Sequence, residues 1–166
     1  MNIFRTHSDP YFCAADHCDR HEPKMILETG QMLCAVHHLY GSEFDGIYKL
    51  THANHPCTKW VGESTGNYEF AMCLMFALDA QRIKRGKPTH KTIERLSPYI
   101  VTPPKGLPKG PETPQPMCMP DEFKTDGDVE RSYIRYLNYK FSEWANRDKP
   151  MFATWNGRYQ PRWYSA

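Results

Sequence analysis

One segment of the chain combines the residue types that proton transfer and imine chemistry require. It runs from Asp16 to His38 and reads DHCDRHEPKMILETGQMLCAVHH. At about 3.6 residues per turn, one face of a helix here carries a polar stripe in otherwise mostly apolar surroundings. The stripe consists of His21, Lys24, Glu28, Gln31, Ala35 and His38. A base, an amine, a carboxylate and an amide on one seam indicate a proton-transfer or Schiff-base site. The alternative is an ordinary amphipathic helix with an i,i+4 ion pair.

Two predicted helices position this stripe. Asp9 followed by Pro10 is typical of a helix start, and a short helix is predicted from there to about His17. It places polar residues near the N-terminus of the next helix. Pro23 suits a first helical position, so the long helix is predicted from Pro23 to about Leu39. Gly30 is its one weak point, at a cost of about 1 kcal/mol.

The rest of the chain also favours helices. A second long helix is predicted to open at Glu63-Ser64-Thr65 and to reach about Arg85, and it is apolar on nearly all sides, which is typical of a buried element. Thr89 is expected to cap a short helix at 90–96, and Asp128 to cap a last helix that reaches about residue 146. We therefore predict a mainly α fold, with residues 1–166 in one compact domain that has long Pro-rich and aromatic-rich loops.

The segment 97–120 is rich in proline. Prolines stand at 98, 103, 104, 108, 111, 114, 116 and 120. Because proline lacks the N–H and clashes with the preceding turn, the segment is predicted to be neither helix nor central strand. Two alternatives remain, a surface loop wrapped over the core and a flexible lid.

Composition limits the function classes. The net charge of +2 permits nucleic-acid binding without demanding it. The six cysteines lack a C-x-x-C pair, which favours a reducing, cytosolic compartment, and no apolar run is long enough to cross a bilayer. There is no Walker A sequence, G-x-G-x-x-G or G-x-S-x-G. Cys18, between histidines and acids, is a weaker candidate nucleophile.

Histidines and acids cluster early in the chain, as the ligands of a metal site can. Asp16, His17, Asp19 and His21 are the candidate ligands, with a histidine of the 52–55 loop as a distant partner. No H-E-x-x-H and no paired cysteine–histidine spacing supports them. We therefore expect no metal and no cofactor.

The loop THANHPCTKW, residues 51–60, carries polar residues that no hydrophobic period explains. His52, Asn54 and His55 precede Pro56, and loops on a rigid scaffold are where functional residues concentrate. The alternative is a polar turn followed by Trp60 as a core anchor. The candidate substrate-binding residues of the whole chain are His17, Asp19, Gln31, His38, His52, Asn54, Asn67, Tyr68 and His90.

The tail, residues 151–166, reads MFATWNGRYQPRWYSA and interleaves aromatic residues with arginines. Such a segment can stack on bases and bind phosphates, or it can dock its aromatic side chains on the core. The candidate nucleic-acid-binding residues are Arg20, Arg131, Arg135, Lys140, Arg158, Arg162 and Trp163.

The long predicted helix resembles the first helix of the phage pyrimidine-dimer DNA glycosylase family, called endonuclease V. The resemblance covers His21, Glu28, Ala35-Val36 and the basic pair at 37–38. The segment HCD-x-H-x-x-KM-x-x-E is also similar to small uncharacterised phage proteins. The family implies a compact helical domain without cofactor that flips a base out of duplex DNA.

The resemblance has departures. Family members use the α-amine of a threonine exposed by removal of the initiator methionine, whereas Asn2 is bulky and should block that removal. Lys24 or the Met1 amine would have to take its place. The arginines that flank the family's glutamate are absent, since Leu27 precedes Glu28 and Gln31 stands at the next position.

The leading hypothesis is a pyrimidine-damage glycosylase/AP lyase that acts as a monomer in the cytoplasm of an infected host cell. The candidate catalytic residues are Glu28, to stabilise a cationic sugar, Lys24, to form the imine, and His21 and His55, to position or shuttle protons. Two alternatives remain: a phage enzyme that modifies a pyrimidine in DNA, such as a transferase onto a hydroxymethyl base, and a non-enzymatic phage DNA-binding or host-takeover protein.

Overall fold

The computed structural model of the protein describes residues 1–165, and the fold is mainly α, as predicted. No strand occurs in those residues. The helices are α1 (Pro10–Asp16), α2 (His21–Leu39), α3 (Pro56–Val61), α4 (Thr65–Lys84), α5 (Lys91–Ile100) and α6 (Val129–Ala145), with a 3-10 turn at Asp121–Phe123. Within the described chain, no helix combines the length and the apolarity that crossing a membrane requires.

The predicted helix starts are confirmed at three of the caps. The Asp9 carboxylate accepts the Tyr11 N–H at 2.7 Å at the start of α1, and Ser64 and Asp128 cap α4 and α6 in the same way. Helix α2 begins at His21, two residues before the predicted start. The His21 N–H bonds to the Cys18 carbonyl, so the first turn closes ahead of Pro23.

Helix α2 packs against α4, α3 and α5, and α4 also packs against α1, so α2 and α4 form the centre of the core. Trp60 of α3 is 1% exposed, and its indole N–H donates to the Thr113 carbonyl, which confirms it as a core anchor. Gly30 lies where α2 crosses α5. A Cβ there would lie 2.5 Å from Thr92 Cγ2, so glycine permits the close approach of the two helices.

The prediction that residues 97–120 contain no helix is wrong at its start. Helix α5 begins after a His90 cap rather than at Thr89, runs past residue 96 to Ile100 and contains Pro98. Proline forfeits one helical hydrogen bond, but Ile93 and Ile100 are buried on either side of it, and this packing holds the helix together.

The rest of the Pro-rich segment lies on the core and is bound to it. The Ser64 hydroxyl donates to the Pro111 carbonyl, and the Thr113 N–H donates to Asn67 Oδ1 at 2.7 Å. A Cβ on Gly66 would lie 2.3 Å from the Glu112 nitrogen, so the segment approaches α4 backbone to backbone. These contacts favour a wrapped surface loop over a lid.

The tail docks its aromatic side chains on the protein. Trp155 is 6% exposed and contacts Phe141 and Tyr164. Trp163 donates its indole N–H to the Asp16 carboxylate at 2.9 Å. Docking therefore accounts for part of the aromatic content of the tail.

Candidate functional site

Two amines flank the carboxylate of Glu28. The α-amino nitrogen of Met1 lies 3.7 Å from Glu28 Oε2, and Lys24 Nζ lies 3.7 Å from Glu28 Oε1. The Asn2 N–H donates to Glu28 Oε2 at 3.0 Å. The Glu28 side chain is 15% exposed, whereas that of Lys24 is 69% exposed. The carboxylate is therefore held in place and still accessible, and the lysine is free to move.

Asn2 holds the N-terminus in this position. Its side-chain amide donates to the Cys118 carbonyl at 2.9 Å, and its Oδ1 accepts the Tyr133 hydroxyl at 2.8 Å. The Cys57 thiol also approaches Oδ1, at 3.7 Å. Asn2 thus ties the first residues of the chain to α3, to α6 and to the Pro-rich segment.

His55 lies at the same place. Its Nδ1 accepts the Cys57 N–H at 3.2 Å, which caps α3. Burial lowers the pKa of His55, as do the positive Met1 amine and His52, while Glu28 opposes the shift. The structure therefore brings Glu28, Lys24 and the Met1 amine together, and the charges of Glu28 and of the Met1 amine act on His55.

His21, the fourth candidate, lies among aromatic rings. Its ring centroid is 4.9 Å from that of Phe4, 5.4 Å from Phe141 and 5.0 Å from Trp144, and the residue is 4% exposed. Burial, with smaller effects of nearby cationic groups, lowers its pKa well below the ordinary value. A neutral, enclosed imidazole of this kind supports packing, and a proton-shuttle role would require the rings over it to move.

His17 is enclosed in the same region. Its Nδ1 lies 2.8 Å from the Cys13 carbonyl, and its ring contacts Phe4. Burial lowers its pKa to about 4, and the nearby Arg158 adds to the shift, so the ring is neutral at physiological pH.

Several candidate substrate-binding residues have structural partners. The Asn67 amide donates to the Trp60 carbonyl, and the Tyr68 hydroxyl bonds to the Ile100 carbonyl and to the His37 ring. Both residues are fully buried. His90 caps α5 by accepting the Thr92 N–H. These contacts account for the side-chain amide nitrogen of Asn67 and the Tyr68 hydroxyl without a ligand.

The other candidates in this class are more open. His38 lies 2.8 Å from both Glu43 Oε1 and the Tyr48 carbonyl; burial opposes protonation, but these two acceptors raise its pKa overall. Gln31 is half-buried on α2, and His52 and Asn54 are exposed. His52 has a φ of +53°, a strained backbone in the loop that leads to His55.

Asp19 and Arg158 pair with each other rather than with solvent. Their side chains meet at 2.7 Å, Arg85 lies 3.3 Å from the same Asp19 oxygen, and Arg85 also binds the fully buried Glu22 at 2.7 Å. Burial raises the pKa of Asp19, but the Asn156 N–H and the Arg158 guanidinium outweigh it and lower the pKa overall. This network ties the tail to α2 and α4 and occupies two predicted binding residues.

The remaining candidate nucleic-acid-binding residues are mostly accessible. The arginines at 20, 131, 135 and 162 are exposed, and Arg135 donates to the Glu122 carbonyl. Lys140 lies 5.6 Å from the Tyr136 ring centroid and is half-buried. Trp163 is half-buried and held by Asp16, as described above.

A group of three residues near Met1 was missed in the sequence. His55, Cys57 and Cys118 each offer a possible ligand atom, and these atoms all lie within 4.8 Å of one another. The two sulfurs are 3.6 Å apart. The hydrogen bond between the thiols raises the pKa of Cys57 and lowers that of Cys118 to about 7. The sequence His-Pro-Cys at the start of α3 was the one local signal of this group. The third residue, Cys118, follows Cys57 by 61 residues, so no short motif contains all three.

Comparison with protein-family models, curated proteins and solved structures found no match to this chain. The resemblance to the pyrimidine-dimer glycosylase family therefore stays a prediction.

Proposed function

We propose that this protein is a DNA glycosylase/AP lyase-like enzyme that acts on a damaged pyrimidine nucleotide. One observation carries the proposal: Glu28 lies 3.7 Å from each of two amines, the Met1 α-amine and Lys24 Nζ. An amine beside a carboxylate is the pair that covalent attack on a sugar carbon requires. An ordinary i,i+4 ion pair between Lys24 and Glu28 would not explain why the N-terminus also lies at the Glu28 carboxylate.

The reaction proceeds by displacement at C1′ of the deoxyribose. The neutral amine nitrogen attacks C1′, the bond from C1′ to the base nitrogen breaks, and the base leaves with that electron pair and takes up a proton. Glu28 stabilises the positive charge on the sugar and accepts a proton from the attacking amine. Opening of the sugar ring then gives an imine between C1′ and the amine.

Two amines are candidates for this attack. Geometry favours Met1, because Asn2 fixes the position of the N-terminus, whereas Lys24 is largely exposed. Lys24 has the advantage of reach, because a long exposed side chain can follow a nucleotide bound outside the core.

DNA binding is supported by accessible cationic and aromatic groups. Arg131 and Arg135 are exposed on α6, and Arg162 is exposed in the tail. Tyr159 is 98% exposed beside a cleft of about 530 Å³ that Arg158 and Lys84 also line. Exposed aromatic rings near cations suit stacking on an unpaired base and contact with phosphates.

The test is borohydride trapping on a duplex that carries one pyrimidine dimer, with EDTA and a reducing agent present. We expect the wild type to form a covalent adduct, Glu28→Gln to lose it, and Lys91→Ala, an exposed lysine elsewhere, to keep it. Lys24→Ala and a protein extended by two residues before Met1 then separate the two amines. Peptide mapping of the adduct identifies the attacking nitrogen.

The proposal fails if the wild type gives neither adduct nor base release on damaged duplexes, or if Glu28→Gln forms as much adduct as the wild type. DNA binding measured in parallel shows whether a protein that forms no product still binds DNA. Salt-sensitive binding without product would identify a non-enzymatic DNA-binding protein, since phosphate contacts weaken as counterions compete.

A further inference from the structure

The group formed by His55, Cys57 and Cys118 has the dimensions of a metal site. Two sulfurs that bind one tetrahedral zinc ion at about 2.3 Å lie about 3.8 Å apart. Cys57 Sγ and Cys118 Sγ lie 3.6 Å apart without any ion, and the His55 nitrogen lies within 4.8 Å of both. Only a small adjustment of side chains would bring all three atoms onto one ion.

The surroundings fix these ligands from two separate parts of the chain. Cys57 is in the first turn of α3, His55 is the residue that caps that helix, and Cys118 belongs to the Pro-rich segment. The Cys118 N–H donates to the Tyr133 hydroxyl and its carbonyl accepts the Asn2 amide, so its backbone is held on both sides. Ligands held in this way lose little entropy when an ion binds.

We propose that His55, Cys57 and Cys118 bind a zinc ion. Two thiolates and one imidazole are borderline-soft donors, the set that zinc prefers over magnesium or calcium. His55 and Cys118 are partly exposed, which gives the ion a path from solvent. The observations behind this proposal are separate from those behind the glycosylase chemistry proposed above.

Binding is an exchange of protons for metal and involves no oxidant. The two thiols release their protons to solvent and each sulfur donates an electron pair to the ion. His55 donates a ring-nitrogen lone pair, and where that nitrogen is Nδ1 the metal replaces the hydrogen bond that Nδ1 accepts from the Cys57 N–H. The charge of the Met1 amine acts on His55, Cys57 and Cys118 alike, so the N-terminus lies near the proposed ion.

The test is titration of the reduced full-length protein with Co²⁺, followed by displacement with Zn²⁺. We expect one Co²⁺ per chain, with thiolate-to-cobalt charge-transfer bands and the intense visible bands of a tetrahedral complex. Zn²⁺ should remove both sets of bands. A competition assay with a chromophoric chelator gives the zinc affinity.

Cys118→Ser is the main variant, because Cys118 is only half-buried and serine is close in size. It should weaken Zn²⁺ binding by more than about 100-fold, beyond the loss of about 10–100-fold that an outer-shell partner causes. Cys73→Ser, also a half-buried cysteine, is the matched control and should bind as the wild type does. Circular dichroism establishes that both variants are folded.

Three results would overturn the proposal. The first is a reduced wild type without thiolate-to-cobalt bands, and the second is bands of unchanged intensity in folded Cys118→Ser. The third is a protein that forms a Cys57–Cys118 disulfide, seen as the loss of two hydrogen masses, and that still fails to bind metal after reduction.

Discussion

Acidification should destabilise the protein through His17, which is buried in a neutral form. The ring is 3% exposed beside Phe4, and burial first, then the Arg158 charge, lowers its pKa from the ordinary 6.5 to about 4. Because the folded-state pKa is depressed, the unfolded chain binds the proton more readily. Stability contributed by the neutral ring is therefore complete above pH 6.5 and is lost as the pH falls from there towards 4.

The magnitude follows from the two pKa values. At about pH 5 the unfolded chain carries nearly a full proton on His17 and the folded protein about a tenth of one. Integrated down from about pH 7.5, the difference is about 2 kcal/mol. His21, whose pKa is also depressed by burial, adds to the loss in the same direction. The His38 pKa is raised, so that residue opposes it.

The assay is urea denaturation followed by tryptophan fluorescence at about pH 7.5 and about pH 5, with each variant measured at both values. Comparison with His17→Asn isolates the contribution of His17 to the pH dependence of stability, because the asparagine amide can still donate to the Cys13 carbonyl. We expect the variant to lose about 2 kcal/mol less than the wild type between the two pH values. The control His52→Asn changes an exposed histidine. An identical pH loss in wild type and His17→Asn would refute the reasoning.

Three further predictions concern packing, the ion-pair network and DNA. Gly30→Ala should lower the free energy of unfolding in urea by about 1–3 kcal/mol, because the new Cβ meets Thr92 Cγ2. Adding Thr92→Ser removes Cγ2 and should restore most of that stability, and no recovery would contradict the close approach of the two helices. Arg85→Ala should cost about 3–5 kcal/mol in the same assay because it removes a partner of the fully buried Glu22, and a loss below about 1 kcal/mol would contradict this. In a salt titration of DNA binding, Arg131→Ala should lower the log–log slope by about 1, and an unchanged slope would remove α6 from the interface.

Helix positions were predictable because their signals are local. Asp9-Pro10, Ser64 and Asp128 each satisfy the first N–H groups of the helix that follows, and no distant residue is needed for that. Pro98 misled the prediction for α5 because the local cost of proline is visible in the sequence, while the burial of Ile100 that offsets it depends on the tertiary fold.

The candidate site was predictable along α2 and, for His55, in the loop before α3. The helical period correctly places Lys24 and Glu28 one turn apart. It could not show that α6 and the N-terminal segment cover His21 with aromatic rings while they leave Lys24 in solvent. The helical period also could not predict that Met1 approaches Glu28, because that contact depends on where Asn2 is anchored.

Asn2 connects the two proposed activities of this region. The same side chain bonds to the Cys118 carbonyl and approaches the Cys57 thiol, while its backbone N–H holds Glu28. A zinc ion on the cysteines would therefore lie beside the Met1 amine, and an amine that donates its electron pair to zinc cannot attack a sugar carbon. If Met1 is the nucleophile and its amine also binds the zinc ion, zinc should suppress adduct formation. If Lys24 is the nucleophile, its exposed amine lies outside that competition, and zinc would leave trapping unchanged.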